Sequence, residues 1–409
     1  MMKLAFIDSL AVGGGLSRFS YMLCKSLLEF YPDFQIDYWV NGENLKRTPE
    51  LLALKGNIRI CEMDMHKPLP LWMRAANKAG MLTGKKIFPE RNDILEIEQK
   101  IRDYDIAYFP SAHMMRRPNL NIPMVGTLHD FNWKYFFGTQ TFSNAFISMM
   151  NTAIMEWMNG SVTVCSAEDV VNEARKLYPG AARYPEVIHI APVVLHQEMS
   201  DERADRILEK LDIQYPYLLF PGNFLPHKNH LNLVSGFALL KEQFGYSDLK
   251  LLLSGVGSDK VKFGIAEKRG IRVVVQPSSQ RDFDIRGMGY LPNESVDALI
   301  KKAKLMVSPS IYEAICTPGM DAWSFGTPTA ISDIPPFREH EQVWGIRSAF
   351  FNPMDPANIA HVIHVYLQDY DRAKNDGETS RHNMGLYTWQ MVAGKYVQAF
   401  QKAINEKAT

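Results

Sequence analysis

A strand–loop–helix unit at the start of the chain is repeated in the second half, and this recurrence constrains the fold most. Lys3–Ile7 is a short apolar run, a loop with three glycines follows, and apolar residues then recur at helical spacing over Leu16–Phe30. The second series begins with the apolar run Tyr217–Phe220 and the helical pattern Asn229–Phe244. Strands that alternate with helices indicate βαβ units, in which helices cover both faces of a parallel sheet. We therefore expect an α/β fold of two tandem, doubly wound, Rossmann-like domains.

The length of the chain and one extended segment indicate where the domains divide. The 409 residues exceed what one hydrophobic core of about 250–300 residues usually holds. The run Ile188–Val194 contains a proline and precedes the polar segment Gln197–Lys210. We assign residues 1–195, together with a C-terminal helix at about 390–409, to the first domain and residues 196–389 to the second. Ligands of such sheets bind at the carboxyl ends of the strands, which places the site in the cleft.

In the second series we also predict strands at Ile271–Val275 and Arg286–Tyr290, in addition to Leu249–Ser254. These segments follow the same alternation of strands and helices. The helical pattern Thr317–Phe325 is expected to stop at Gly326.

Composition excludes several classes of protein. The 45 basic and 45 acidic residues cancel, whereas a dedicated nucleic-acid binder is usually basic. The four cysteines contain no CxxC pair, which favours reduced thiols over a metal or redox site. An export signal and a long apolar stretch are both missing from the sequence, so we expect a cytoplasmic protein that lies at most on the inner face of a membrane.

The segment that follows the strand ending at Ser308 has the clearest chemical pattern. Its loop has one acid, Glu313, and a second acid, Asp321, lies eight positions later. Thr317 is expected as the helix N-cap, with Pro318 at the first helical position. A helix N-terminus has free N–H groups and a partial positive charge, so it favours a phosphate. The two acids could then hydrogen-bond sugar hydroxyls on either side of a diphosphate.

This segment resembles the acidic-x7-acidic motif of retaining glycosyltransferases with the GT-B fold, family 4 type, a group that includes glycogen-synthase-like enzymes and bacterial lipopolysaccharide mannosyltransferases. Glu313 matches the first acid, and Asp321 stands where the family usually has Glu. Ala314, Ile315 and Cys316 stand where the family usually has Gly, Phe and Gly.

Five further segments resemble parts of the same family, in the family's order. They are the N-terminal glycine loop Gly13–Gly15, the element Thr127–Asp130, the diphosphate loop Gly222–Asn229, the base-binding loop Gly289–Pro292, and Trp389 before a helix that crosses back to the first domain. In the diphosphate loop Lys228 matches the family's lysine, whereas Asn223 stands in the place of an arginine.

The resemblance implies the transfer, with retention of configuration, of a sugar from a nucleotide diphosphosugar to an acceptor hydroxyl in bacterial-type glycan or glycolipid assembly. It implies no metal and no other cofactor. It places His129, Lys228 and Glu313 at the reacting centre. The residues that it places against the donor are Gly14, Gly15, Gly222, Asn223, Tyr290, Leu291, Ala314, Ile315, Cys316, Thr317 and Asp321.

The acceptor side is indicated by a basic stretch, His66–Arg91. Within it, Leu71–Leu82 has apolar residues on one helical face and basic residues on another, as in helices that lie on an anionic bilayer. A solvated helix that covers the first domain has the same pattern. The acceptor-side candidates are Arg74, Lys78, Arg116, Arg117 and Asp130, although Asp130 could instead cap the segment that follows it.

Two other functions remain open on the sequence. A nucleotide-sugar epimerase has the same two-domain fold, but the spacing of Glu313 and Asp321 favours a transferase. A non-catalytic subunit that binds a sugar or a partner is kept open by the departures from the family pattern, among them Asn223 and Cys316.

Overall fold

The computed structural model describes residues 1–8, 15–63, 71–73, 75–76, 92–136, 144–192, 199–260, 266–268, 271–273 and 284–408. Over these residues the chain forms two parallel sheets, each with helices on both faces, as the alternation of strands and helices predicts. The α/β architecture of two Rossmann-like domains is therefore confirmed.

The first sheet has seven strands in the order β3-β2-β1-β4-β5-β6-β7. They are β1 (Met2–Asp8), β2 (Phe34–Val40), β3 (Ile58–Glu62), β4 (Ile106–Phe109), β5 (Met124–Thr127), β6 (Val162–Cys165) and β7 (Glu186–Val187). The helices of this part are α1 (Gly15–Phe30), α2 (Gly42–Arg47), α3 (Asn92–Lys100), α4 (Asn144–Gly160) and α5 (Glu168–Leu177). The strand β1 is buried on both faces, which is why it is a continuous apolar run.

The second sheet has six strands in the order β12-β9-β8-β13-β14-β15. They are β8 (Tyr217–Pro221), β9 (Lys250–Ser254), β12 (Ile285–Gly287), β13 (Leu305–Ser308), β14 (Thr329–Ser332) and β15 (Ala349–Phe351). The helices are α6 (Asp201–Lys210), α7 (His230–Phe244), α8 (Asn293–Lys302), α9 (Thr317–Phe325), α10 (Pro335–Trp344), α11 (Pro356–Gln368) and α12 (Tyr370–Gly385). The helix α6 packs on α8, so the chain has passed to the second sheet by residue 201.

The last helix, α13 (Trp389–Ala408), returns to the first sheet and packs on α1. The Tyr396 hydroxyl lies 3.2 Å from Thr127 Oγ1 at the end of β5, and Trp389 Nε1 donates to Pro192 O at 2.6 Å. The Trp389 ring also lies 6.0 Å from the Phe19 ring of α1. These contacts confirm the expected C-terminal helix that crosses back to the first domain.

Two of the predicted strands differ from the structure. Ile271–Val273 forms a strand, β11, which pairs antiparallel with β10 (Ala266–Lys268) outside the six-stranded sheet. Only two residues separate these strands in the chain, which permits a hairpin, whereas a parallel pair needs a crossover of a dozen residues or more. The strand predicted at Arg286–Tyr290 is β12, which ends at Gly287, and Gly289 then turns the chain at φ +70°.

Candidate functional site

A cavity of about 320 Å³ lies between the two domains, at the carboxyl ends of the parallel strands. The first domain lines it with the start of α1 and with the loops that follow β5 and β6. The second domain lines it with the loops that follow β8, β9, β12 and β13. The lining residues that the sequence predicted are Gly15, His129, Asp130, Gly222, Asn223, Lys228, Tyr290, Leu291, Glu313, Ala314, Ile315, Thr317 and Asp321.

The N-termini of two helices meet at this cavity. The helix α1 begins at Gly15 and α9 begins at Thr317, and a Cβ atom on Gly15 would lie 3.4 Å from Thr317 Oγ1. The two helix ends therefore lie close together across the domain boundary. Both ends have partial positive charge and unpaired N–H groups, so together they favour an anion in the cavity.

The cap of α9 differs by one residue from the predicted one. Thr317 is the first residue of the helix and Cys316 is the N-cap, without a side-chain cap bond. The Cys316 N–H donates to His340 Nε2 at 3.0 Å in the buried interior, so it is directed away from the donor position that the resemblance implies. Because Nε2 accepts this bond, His340 is neutral there, and burial lowers its pKa to about 3. At the other end, Gly326 ends the helix at φ +73°, as predicted.

Lys228 and Glu313 form an ion pair in the cavity, with Lys228 Nζ donating to Glu313 Oε1. Both side chains are largely buried, with exposed fractions of 17% and 15%. Lys228 ends a short 3-10 helix, Pro226–Lys228, and Asn229 then adopts φ +56°. The Asn229 amide donates to Pro309 O at 2.9 Å, which fixes the lysine loop against the loop that contains Glu313.

Asn223 and Gly222 shape the floor of the cavity. Asn223 Oδ1 accepts from the Val256 N–H at 2.9 Å, so the side chain that replaces an arginine joins the loops after β8 and β9. Gly255 has φ +118°, and a Cβ atom there would lie 2.6 Å from Gly222 O. The two loops thus approach so closely that backbone lines this part of the cavity.

His129 lies at the end of β5 and is neutral. Its Nε2 lies 2.7 Å from Pro110 O, and since a carbonyl only accepts, Nε2 has the proton and Nδ1 is an acceptor. Burial and the neighbouring His113 lower the pKa of His129 to about 3. The ring also packs edge-on against Phe19 of α1, at 5.4 Å between centroids. Rigid packing and a fixed tautomer make Nδ1 a defined hydrogen-bond acceptor.

Asp130 lies in the cavity lining and forms a local hydrogen bond. Its Oδ1 accepts from the Asn132 N–H at 3.1 Å at the start of a short 3-10 helix, Asn132–Lys134, whose N-cap is Phe131. Burial raises the pKa of Asp130 above the usual range, although His227 and His129 act in the opposite direction. The carboxyl group is therefore held in the cavity wall by a hydrogen bond within its own loop.

Asp321 has a partner that the sequence analysis did not identify. Arg18 of α1 donates to both Asp321 oxygens, at 2.9 and 2.5 Å, across the domain boundary. Burial alone would lower the pKa of Arg18, but the charge and hydrogen bonds of Asp321 raise it. The buried Asp297 of α8 lies close by, and its pKa is raised to about 7 by burial and by Asp321. Arg18 lies one helical turn after Gly15, so helical spacing from the glycine loop was the signal that could have identified it.

The remaining part of the cavity lies under the loop after β12. Tyr290 is 62% exposed at the rim, and Leu291 lines the wall. Asn293 and Val296, at the start of α8, line it as well and were not predicted. This end has an aromatic ring and apolar side chains, whereas the opposite end has His129 and Glu313.

Several predicted residues are not among the described residues that line the cavity. Gly14, Arg74 and Lys78 are outside the described residues, as is most of the basic stretch 66–91. Arg116 forms an ion pair with Glu156 of α4, and Arg117 donates to Ser161 Oγ at 2.8 Å and to Gly160 O at 2.7 Å. The Arg116 and Arg117 contacts fix the loop after β4 to the end of α4, outside the cavity lining.

Within the residues that the structure describes, three or more His, Cys, Asp or Glu side chains are nowhere grouped so that they could hold a metal ion. Across the same ranges, none of the helices is long and apolar enough to cross a membrane.

The two facing Rossmann-like domains, with a helix that crosses back, form the GT-B fold, and solved structures share it. Alr3699/HepE of Anabaena, in complex with UDP and glucose, matches with a TM-score of 0.68 and 13% identity, over 98% of this chain and 100% of that one. WaaG, a glycosyltransferase involved in lipopolysaccharide biosynthesis, matches with a TM-score of 0.65 and 12% identity, over 97% of this chain and 99% of that one.

Residues 202–383 match the family model of glycosyl transferases group 1, which supports a glycosyltransferase. The chain is 23% identical over 245 residues to the MMP alpha-(1->4)-mannosyltransferase of Mycolicibacterium hassiacum, covering 60% of this chain and 54% of that protein. It is 29% identical over 166 residues to the O-antigen chain mannosyltransferase B of Escherichia coli, covering 40% of each. These alignments span about half, or less, of the length of the curated relatives.

Proposed function

We propose that this protein is a retaining glycosyltransferase that moves a sugar from a nucleotide diphosphosugar to an acceptor hydroxyl. The observation that carries the proposal is the meeting of four features in one cavity: the N-terminus of α1, the N-terminus of α9, the Lys228–Glu313 pair, and the neutral His129. The cation and the helix ends suit a diphosphate, and the acid and the imidazole suit sugar hydroxyls.

The lining suggests how the donor is oriented. The diphosphate would lie between Gly15 and Thr317, within reach of the Lys228 ammonium group. The nucleoside would extend toward Tyr290, Leu291 and the Arg18–Asp321 pair. The sugar would then lie between His129 and Glu313. Known structures of similar fold support a nucleotide donor, since Alr3699/HepE was solved with UDP-glucose.

The transfer breaks the bond between the anomeric carbon and the diphosphate oxygen and forms a bond from that carbon to the acceptor oxygen. Negative charge grows on the leaving diphosphate, and Lys228 with the N–H groups of α1 and α9 would stabilise it most in the transition state. The acceptor proton passes to an oxygen of the leaving diphosphate on the same face of the sugar. Attack on that face retains the anomeric configuration, and the charge stabilisation comes from protein groups without a metal.

His129 would position the donor sugar rather than transfer a proton. Its Nε2–H donates to Pro110 O, so Nδ1 can accept a sugar hydroxyl, and its lowered pKa keeps it neutral at physiological pH. Glu313, paired with Lys228, offers a second acceptor at the opposite side of the sugar. Two fixed acceptors would orient the anomeric carbon.

We propose a hexosyl donor and an acceptor of bacterial polysaccharide or lipopolysaccharide assembly. The matched relatives are mannosyltransferases, one of which acts on the O-antigen chain by its name. We place the reaction in the cytoplasm, with the basic stretch 66–91 against the inner face of an anionic membrane when the acceptor is lipid-linked.

The test is turnover of nucleotide sugars by the purified protein, with UDP-glucose and GDP-mannose as the first donors and a glycan extract as acceptor. Release of nucleoside diphosphate that requires the acceptor, with an α-linked product and unchanged rates in EDTA, supports the proposal. A stereoisomeric nucleotide sugar without transfer would identify an epimerase instead. Nucleotide-sugar binding without turnover of any donor would identify a non-catalytic subunit.

A further inference from the structure

The hydroxyl group of Tyr312 joins the two loops that contain the proposed reacting residues. Tyr312 directly precedes Glu313 in the second domain. Its oxygen accepts from the Phe131 N–H at 2.9 Å and donates to Glu173 Oε2 at 2.6 Å, and both partners belong to the first domain. Phe131 is two residues from His129. One oxygen atom therefore connects the His129 loop and the Glu313 loop across the cleft.

The surroundings of this hydroxyl make it a defined link. The Tyr135 ring packs on the Tyr312 ring, at 5.1 Å between centroids, and the Tyr135 hydroxyl donates to the other oxygen of Glu173. Glu173 thus accepts one phenol from its own domain and one from the opposite domain. Burial raises the pKa of both Tyr312 and Glu173, so the phenol stays protonated and remains a donor.

The separation of His129 and Glu313 depends on how the domains meet, because the two residues belong to different domains. A phenol is rigid, and a hydrogen bond weakens steeply once its atoms move beyond the usual 2.5–3.2 Å range. The two hydrogen bonds of the Tyr312 hydroxyl are therefore both formed in only one arrangement of the two domains. A misplacement of about 1 Å at a reacting centre can cost about 100-fold in rate.

We propose that Tyr312 is a positioning residue for the transfer, whose hydroxyl fixes Glu313 relative to His129 when the domains close. The proposal rests on the proposed glycosyltransferase function. Tyr312 is outside the cavity lining, so its hydroxyl acts through the two loops and not through contact with the donor.

The test compares Tyr312→Phe with the matched control Tyr135→Phe. Each variant loses one phenol hydroxyl that donates to Glu173, but only the first loses hydrogen bonds between domains, namely those to Glu173 and to the Phe131 N–H. Both are expected to melt at similar temperatures. At saturating donor, Tyr312→Phe should lower kcat about 10- to 100-fold. It should leave the Kd for UDP or GDP within about 2-fold, since the residues proposed to hold the diphosphate are unchanged. Tyr135→Phe should keep kcat within about 3-fold.

Three outcomes would contradict the positioning role of Tyr312. A Tyr312→Phe enzyme with wild-type kcat, or equal losses in the two variants, overturns the positioning role. A loss explained entirely by weaker UDP or GDP binding overturns it as well, because the hydroxyl would then act in binding. A wild-type protein that binds nucleotide sugars but turns none over overturns the proposed function, and the positioning role with it.

Discussion

Two cation–acid pairs lie in the same cavity and are built differently. Lys228 and Glu313 both belong to the second domain and pair whether or not the domains close. Arg18 and Asp321 belong to different domains, and Asp321 is more deeply buried, with 3% of its side chain exposed against 15% for Glu313. The Lys228–Glu313 pair therefore depends on the fold of one domain, whereas the Arg18–Asp321 pair depends on how the two domains face each other. The two acids of one motif thus form one ion pair within a domain and one between domains.

Asp321 and Asn223 differ from the pattern of the family that the sequence resembles, and each has a partner in the structure. Asp321 is one methylene shorter than the usual Glu, and the guanidinium group of Arg18 fills the space beside it. Asn223, at the position where the resemblance implies an arginine, accepts a hydrogen bond from the Val256 N–H. The cation paired with Asp321 in this cavity is therefore supplied by the first domain.

The largest effect is expected from breaking the pair between domains. Arg18→Met leaves Asp321 buried without its cation and close to Asp297, and such a loss costs about 3–5 kcal/mol. Asp321 regains water when the domains part, so we expect a larger radius of gyration in X-ray scattering and weaker binding of a nucleotide sugar. The double variant Arg18→Met/Asp321→Asn should recover much of the closed form.

The control for this prediction is an exposed pair, Lys402 and Glu186, with 49% and 47% of their side chains exposed. Lys402→Met should change stability by about 1 kcal/mol or less and leave the scattering unchanged. Wild-type scattering and wild-type nucleotide-sugar binding in Arg18→Met would contradict the closure role of the pair.

The next largest effect concerns the pair within the second domain. Lys228→Met removes the charge that we propose stabilises the leaving diphosphate, so kcat should fall about 100- to 1000-fold. Its scattering profile should match that of the wild type, because both partners belong to one domain. Steady-state rates and scattering on the same samples provide the measurement.

A control exists in the same domain. Lys241 pairs with Asp284 outside the cavity lining, with exposed fractions of 17% and 15%, and Asp284 pairs with Lys250 as well. Lys241→Met should keep kcat within about 3-fold. Equal losses of activity in Lys241→Met and Lys228→Met would indicate a stability effect and remove Lys228 from the proposed site.

The smallest effect is expected from Asp297, which lies close to the Arg18–Asp321 pair, and it depends on pH. The pKa of Asp297 is raised to about 7, so between about pH 4 and 7 the folded protein holds a proton that the unfolded chain has released. This group therefore lowers stability as the pH rises through that range. Asp297→Asn removes the titration and should raise stability by about 1–3 kcal/mol at pH 8, with little change at pH 4.

Melting temperatures measured from pH 4 to pH 8 test this expectation. The difference between Asp297→Asn and the wild type should grow as the pH rises. A difference that is constant with pH would show that Asp297 ionises normally in the folded protein.

Local patterns in the sequence predicted much of the fold and of the second-domain half of the site. The apolar runs located the strands β1, β8 and β13, because a strand buried on both faces must be apolar throughout. Pro318 and Gly326 marked the two ends of α9, because proline suits the first turn and glycine tolerates a positive φ. The exact cap was displaced by one residue, since Cys316 takes that position.

The sequence by itself therefore determined two doubly wound domains, the loops at the strand ends and the acidic residues of the cleft, because these depend on neighbours within a few positions. Only the tertiary structure decided which residues meet across the cleft. Arg18 and Asp321 are 303 positions apart, and Tyr312 and Phe131 are 181 apart. Such pairs depend on how two separately folded domains face each other, and residue spacing along one chain has no periodic signal for that.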